Sequence, residues 1–375
     1  MAKPKKLLLA AGGTGGHLFP AQAVAVELIN HMPDIEIVFA GAGLNTNRYF
    51  DRKKFSFRHI SSTTIFQRNL INLIRCPFLI LKGLIQAISL MRSFKPDLVM
   101  GFGSFHTMPV LLAAKLCRVP IALFEANAYP GRVNRLFSRW ARWCAIYFPD
   151  VSAHLKSRTY LIKMPFWRGM LEKTETVTRE QSLAYLGLKP SKKTVLIFGG
   201  SQGAASINQI VAEAMAELSI DKKHVQIFHI TGSSEAAVEL IRIYSRLGFD
   251  AVVKEFEKHM HLVWPCVDIA ISRAGAGSIA EQINYEVPSI LIPYPHAAND
   301  HQARNGKFMS DTVKGATVLK EPDVDARKLC DILHMLLHQQ SDYLDTMKES
   351  IIQYKKVAKR SSLSELVKDE LMRNG

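Results

Sequence analysis

The chain has 375 residues, 48% of them hydrophobic and 22% charged, a balance that builds buried cores, excludes an intrinsically disordered chain and suggests two domains of about 150–200 residues. Lysine and arginine outnumber acidic residues 48 to 33, giving +15, which favours an anionic partner among nucleic acid, phosphorylated substrate and acidic lipid. The five cysteines form no CxxC pair and no Cys/His ligand spacing, which argues against a disulfide framework or structural zinc and fits a reducing compartment.

The N-terminus, "MAKPKKLLLAAGG", is basic and then apolar, but the apolar stretch is too short for a signal-peptide core and reads as a buried first strand. It leads into "GGTGGHLFPAQAVAVEL", a glycine turn followed by a helical pattern, and then into the strand "IEIVFAG". From Phe66 to Phe94 the sequence is strongly apolar but interrupted by Arg68, Arg75, Lys82 and Arg92. Its longest uncharged run is shorter than the roughly 18 residues needed to span a bilayer. An amphipathic helix is expected there, one face at an anionic lipid surface and the other packed on the protein. "DLVMGFGSFHTMPVLLAAKL" and "IALFEAN" follow. A polar stretch, "EKTETVTREQ", lies between Leu161 and Pro190 and marks the join between halves.

Beyond the join, "TVLIFGGSQGAASINQIVAEAM" repeats the strand, GGxxG turn and helix of the N-terminus. "VQIFHITG", "VDIAISRAGAGSIAEQI" and "SILIPYP" supply further strands, and a lysine-rich end reads as one or two amphipathic helices. Strands alternating with helices predict two doubly wound α/β halves with parallel sheets facing a cleft. Ligands of such sheets sit outside the carboxyl ends of the strands, where backbone N–H groups and helix N-termini are available to anions. Every glycine turn quoted lies at such an end.

Two common uses of such turns fail here. A dinucleotide fingerprint starting at Gly13 needs glycine or alanine where Leu18 stands, and an acidic residue where the second strand ends in Ala40 and Gly41. No GxxxxGK[ST] run exists, which argues against a P-loop. What remains is a phosphate-approaching turn with an imidazole at the head of the next helix.

Five collinear segments then carry a resemblance: "GGTGGHLFPA", "GFGSFHTMP", "EANAYPGRVNRLFS", "FGGSQGAASIN" and "SRAGAGSIAEQINYEVPSILIPYPHAANDHQARN". Together they resemble the MurG family, bacterial transferases that move N-acetylglucosamine from UDP-N-acetylglucosamine onto undecaprenyl-pyrophosphoryl-N-acetylmuramoyl-pentapeptide. The resemblance implies the GT-B fold: residues 1–165 facing acceptor and membrane, 166–350 binding the UDP-sugar, and 351–375 returning to the first domain. It also implies an inverting transfer without metal or cofactor, no nucleic-acid partner, and peripheral attachment to an anionic surface at the cytoplasmic face of the inner membrane. The sequence agrees on the metal: its one DxD, Asp323 to Asp325, reads as a helix start.

Carried over residue by residue, the resemblance places Thr14, Gly15 and Gly16 in a donor-contacting turn. Asn127 is expected at the donor sugar and Glu125 near the acceptor. Ser201 is expected at a phosphate, Glu281 at the ribose diol and Gln302 at the hydroxyls of N-acetylglucosamine. His17 is the candidate general base, an imidazole being suited to proton transfer near neutral pH, with a phosphate or acceptor contact as its other reading. The family arginine of "GNPVR" falls in "KMPFWRG", where Trp167 takes the aligned position and Arg168 follows as the substitute. Glu257 stands where the family is usually apolar. Rival readings are another GT-B transferase with a lipid acceptor, a nicotinamide-type oxidoreductase, and a silent membrane-binding scaffold.

Overall fold

A computed structural model describes residues 3–62, 70–166, 177–200, 205–220, 222–338 and 340–373, with the side chains of residues 70–76 outside the description. The chain divides into two compact units, Met1–Trp167 with Lys359–Gly375, and Arg168–Ala358. Trp167, Arg168, Ser201 and Gly203 lie outside the described residues.

The first unit carries strands β1 (Lys6–Ala10), β2 (Glu36–Gly41), β3 (Phe57–His59), β4 (Leu98–Gly101), β5 (Ile121–Glu125), β6 (Trp143–Ile146) and β7 (Arg158–Leu161). They form one sheet in the order β3-β2-β1-β4-β5-β6-β7, every pair parallel. Its helices are α1 (Gly15–His31), α2 (Leu70–Phe94), α3 (Met108–Leu116) and α4 (Arg132–Phe137). The central strands read as unbroken apolar runs because both of their faces are covered: Leu7, Leu8 and Leu9 are completely buried.

The second unit holds β8 (Lys193–Phe198), β9 (Val225–Ile230), β10 (Asp250–Lys254), β11 (Ile269–Ser272), β12 (Ser289–Leu291) and β13 (Ala316–Val318), in the order β10-β9-β8-β11-β12-β13 and again all parallel. Around it lie α5 (Arg179–Leu186), α6 (Ala205–Glu217), α7 (Ser234–Leu247), α8 (Met260–Val263), α9 (Ala276–Tyr285), α10 (His301–Lys307), α11 (Ala326–Leu337) and α12 (Tyr343–Val357). The lysine-rich end therefore contains two helices, and they serve different units. Helix α12 stays in the second unit, while α13 (Leu363–Arg373) belongs to the first. There Arg142 pairs with Glu370, the Trp143 indole donates to Glu370 Oε2 at 3.2 Å, and Ser361 N–H donates to the carbonyl of Leu161 at 3.0 Å.

In each sheet the chain starts in the middle, winds one way, then returns to wind the other. The reversal falls between β1 and β4 in the first unit and between β8 and β11 in the second. The loops leaving these strand pairs are neighbours, and such switch points are where doubly wound sheets bind ligands.

At the end of β2 the backbones crowd. A Cβ on Gly41 would lie 2.0 Å from the carbonyl oxygen of Ala11, so no side chain fits near the place where a dinucleotide fold carries its acidic residue. Gly41→Ala is expected to cost about 1–3 kcal/mol or more of stability, read as a lower urea midpoint with unchanged denaturant slope.

Helix α2 has two apolar faces. Gly83, Ala87, Leu90 and Met91 are buried, and a Cβ on Gly83 would meet the Ser61 carbonyl oxygen at 1.9 Å. Phe78, Leu81 and Ile85 are 73%, 55% and 62% exposed, beside exposed Lys82. Pro77–Phe94 is long and apolar enough to cross a membrane by length and composition, yet its buried face is committed to the core of the first unit.

Candidate active site

In the first unit the turn Ala11–Thr14 leaves β1 and opens α1. Gly13 has φ +87°, a backbone conformation natural to glycine, and its carbonyl is held by Asn47 Nδ2 at 2.6 Å. Thr14 occupies the N-cap of α1 without making a side-chain cap, and the first turn has no acidic residue. Side-chain caps do occur in this chain, from Thr178 on α5, Ser233 on α7 and Asp325 on α11, but α1 shares its lack of one with α3, α4, α8, α9, α10 and α12. An uncapped N-terminus at a switch point is an arrangement that an anionic ligand completes.

His17 sits one turn into α1, half-buried, with Nδ1 3.4 Å from Thr14 Oγ1. Its imidazole lies over the loop leaving β4: a Cβ on Gly103 would be 3.4 Å from His17 Cδ2 and 3.5 Å from Nε2. Gly103 has φ +84° and, like Gly13, a backbone conformation in which a side chain is strained. Thr14 and Gly16 are exposed, whereas Gly15 is buried beneath the ring of Phe19. The turn thus offers Thr14, Gly16 and the imidazole outward, with Gly15 as packing.

Glu125 closes β5 and is only 4% exposed. Oε1 accepts the N–H of Asn127 at 3.0 Å and its Nδ2 at 3.3 Å; Oε2 accepts Gly131 N–H and Asn134 Nδ2, both at 2.9 Å. Burial pushes its pKa up, and these four donors oppose the shift. A carboxylate so occupied shapes the loop that carries half-buried Asn127. Asn134 also donates to the Phe124 carbonyl at 2.8 Å and lies beside Gly103, tying this loop to the one under His17.

In the second unit the loops leaving β8 and β11 are joined by Arg273. The guanidinium is 8% exposed and donates to Ser206 Oγ on α6 at 2.9 Å, to the Ile292 carbonyl at 3.2 Å and to Glu321 at 2.5 Å. Helix α9 then starts at Ala276 with Gly275 as an N-cap that supplies no side chain. Glu281 lies half-buried on α9, and burial raises its carboxyl to about 7. The neighbouring Trp264 indole N–H, buried without a hydrogen bond of regular geometry, partly offsets that shift.

Gln302 stands in the first turn of α10, its Oε1 accepting the Tyr294 N–H at 2.9 Å. Just before it, Asn299 and Asp300 both have φ 55°, two consecutive left-handed non-glycine residues. Such strain persists where the surrounding structure enforces it, commonly in ligand-binding loops. Among the described residues no group of three or more His, Cys, Asp or Glu is arranged to hold a metal ion.

Comparison with known proteins extends this geometry. The glycosyltransferase family 28 N-terminal domain matches residues 7–146, and the family 28 C-terminal domain matches residues 194–365. The UDP-N-acetylglucosamine–N-acetylmuramyl-(pentapeptide) pyrophosphoryl-undecaprenol N-acetylglucosamine transferase of Protochlamydia amoebophila is 42% identical over 97% of this chain and 96% of its own. The chain belongs to the MurG family. The same-named transferase of Halothermothrix orenii is 33% identical over 97% of this chain and 98% of its own. The crystal structure of Acinetobacter baumannii MurG superposes with a TM-score of 0.75 at 25% identity, covering 99% of this chain and all of that one. The two-domain GT-B architecture of MurG enzymes is therefore the architecture of this chain.

Against that MurG frame, Thr14, Gly16 and His17 gather on one turn, Glu125 and Asn127 share one loop, and Glu281 and Gln302 follow β11 and β12. Sequence reasoning assigned no role to Arg273, whose partners Ser206, Ile292 and Glu321 are distant in sequence and meet only in the fold, nor to Asn134, which reaches back to Phe124 and Glu125. Glu257, unusual for the family, has its charge satisfied: Lys254 Nζ donates at 2.7 Å, His259 N–H at 2.8 Å and Tyr185 O–H at 3.0 Å. These bonds outweigh burial and lower its pKa.

Proposed function

We propose that the chain transfers N-acetylglucosamine from UDP-N-acetylglucosamine to undecaprenyl-pyrophosphoryl-N-acetylmuramoyl-pentapeptide, by direct displacement with inversion and without a metal ion. The observation that carries this reading is the 42% identity, running through nearly the whole of both chains, to a transferase of that name. The acceptor 4-hydroxyl attacks the anomeric carbon as the bond from that carbon to the UDP oxygen breaks. The hydroxyl proton passes to His17, and charge on the departing UDP is met by backbone N–H groups and helix N-termini. Asn127 and Gln302 contact the donor sugar, Glu281 accepts the ribose hydroxyls, and Ser201 and Arg168 contact phosphate.

Transfer of labelled N-acetylglucosamine to a shortened polyprenyl acceptor in the presence of EDTA tests the reading. Undiminished transfer giving the inverted linkage is expected. Absence of transfer with any muramyl acceptor would overturn the substrate assignment, and loss on chelation would overturn the metal-independent chemistry.

The same reading places the enzyme at the cytoplasmic face of the cell membrane, held by α2. Phe78, Leu81 and Ile85 recur at helical spacing on its outward side next to Lys82, and each apolar side chain moved from water into lipid gains about 1.5–3 kcal/mol. Phe78→Ser combined with Ile85→Ser is expected to abolish flotation with anionic liposomes while leaving UDP binding intact.

A further inference from the structure

The loop between β2 and β3 is strongly basic. Residues 43–58 hold five cations, Arg48, Arg52, Lys53, Lys54 and Arg58, against one acid, Asp51, and all five cations are exposed. Asp51 is turned to its own loop, where Oδ1 accepts the backbone N–H groups of Lys53 and Lys54 at 3.1 and 3.2 Å. Among the described residues, Arg52, Lys53 and Arg58 meet no carboxylate at ion-pair distance. The transfer chemistry described above leaves this loop without a role.

The loop is also fastened to the turn that carries His17. Strand β2 pairs with β1, so the loops leaving the two strands are neighbours. Asn47 Nδ2 holds the Gly13 carbonyl at 2.6 Å while its Oδ1 accepts the Tyr49 N–H at 2.9 Å. Gln22 of α1, completely buried, donates to the Tyr49 carbonyl at 2.9 Å and accepts the Asp51 N–H at 2.8 Å. Phe50 and Phe55 are buried against Phe39 of β2. These anchors fix the backbone that carries the cations. Like charges gathered in this way repel one another, a cost that an anionic partner removes.

We propose that this loop docks the peptide stem of the acceptor, with Arg52 and Lys53 pairing with its carboxylates. The proposal rests on the transferase reading, whose acceptor carries a pentapeptide and hence at least a C-terminal carboxylate. A bilayer fits the loop less well. Its phenylalanines at 50 and 55 are buried and every exposed residue from 43 to 58 is polar, so it has no apolar side chain to insert, whereas the outward face of α2 has several. Exposed ion pairs are weak individually and screened by salt, so the loop sets acceptor affinity and leaves the chemical step alone.

Arg52→Gln combined with Lys53→Gln tests it on two acceptors that differ only in the peptide, one with free carboxyls and one with every peptide carboxyl converted to a carboxamide. For the wild type, KM should be about 5- to 10-fold lower for the free acid than for the amide at low salt, the two converging at high salt. The double variant should raise KM for the free acid by about the same factor, leave KM for the amide unchanged, and bind UDP as the wild type does. Arg52 also donates to the Asn45 carbonyl, so Lys53→Gln alone, which leaves that contact in place, should show a smaller shift in the same direction. An equal rise in KM for both acceptors would overturn the proposal, as would an unchanged KM for the free acid. Loss of flotation with anionic liposomes alongside that unchanged KM would give the loop to lipid headgroups instead. A wild-type chain inactive with every muramyl acceptor would defeat the transferase reading itself, an outcome distinct from failure of the proposal, which is read in an active enzyme.

Discussion

His17→Ala is expected to lower kcat by about 10²–10⁴-fold, the range supplied by a positioned general base, while leaving UDP affinity nearly unchanged. The imidazole is half-buried on the first turn of α1, in van der Waals reach of Gly103, whose φ of +84° favours glycine. A base at Nε2 requires the ring proton on Nδ1, and Thr14 Oγ1, 3.4 Å away, is placed to accept it. Thr14→Val should therefore lower kcat by a smaller factor, because the tautomer is favoured and not created by that contact. Comparison of kcat with UDP affinity decides the role. A selective loss in kcat identifies a group acting in the transition state. An equal loss in both would make His17 a substrate contact and send the search for a base elsewhere.

Much of this architecture is legible in the sequence. The eight apolar runs followed by small-residue turns are strands β1, β2, β4, β5, β8, β9, β11 and β12, the interior of each sheet. Burial on both faces makes such strands continuous apolar runs. The strands without that signature are β3, β6, β7, β10 and β13. "FRH", "RTYL", "DAVVK" and "ATV" are half-exposed strands at or near sheet edges, where polar residues are tolerated. The "WCAI" of β6 is fully buried but is embedded among arginines and followed by no glycine turn.

The candidate site divides along the same line. Thr14, Gly15, Gly16 and His17 are contiguous, so a motif displays them. Glu281 and Gln302 were read from the family resemblance, and their surroundings emerge only in the fold. Arg273 bridges Ser206, Ile292 and Glu321 across the ends of three strands. Its role follows from strand order, which no local pattern encodes. Glu125 shows the opposite case. The resemblance places it near the acceptor, and its carboxylate accepts four N–H groups, three from its own loop and one from Asn134 on α4. Its removal should disturb Asn127 and Asn134 together.

Glu281 gives the second large effect, with a pH signature. Its carboxyl is raised to about 7 by burial, and only the ionised form can accept both hydroxyls of a ribose. UDP affinity should therefore fall about tenfold between pH 8 and pH 6, following the fraction ionised. The free protein should show the reverse trend in stability. The folded carboxyl binds its proton more tightly than the unfolded one, whose pKa is near 4.3, so this group's contribution is present at low pH and lost as pH rises through about 7. Stabilisation by UDP, read as the gain in Tm at fixed excess of ligand, should consequently be larger at pH 8 than at pH 6. Glu281→Gln keeps the shape but forfeits charge-assisted bonds, so a Kd about 10- to 100-fold weaker is expected, with a shallower pH slope than the wild type, the remainder coming from the UDP terminal phosphate, which itself titrates at about 6. If Glu281→Gln were to retain the wild-type pH slope, another group would be titrating and the ribose assignment would fail.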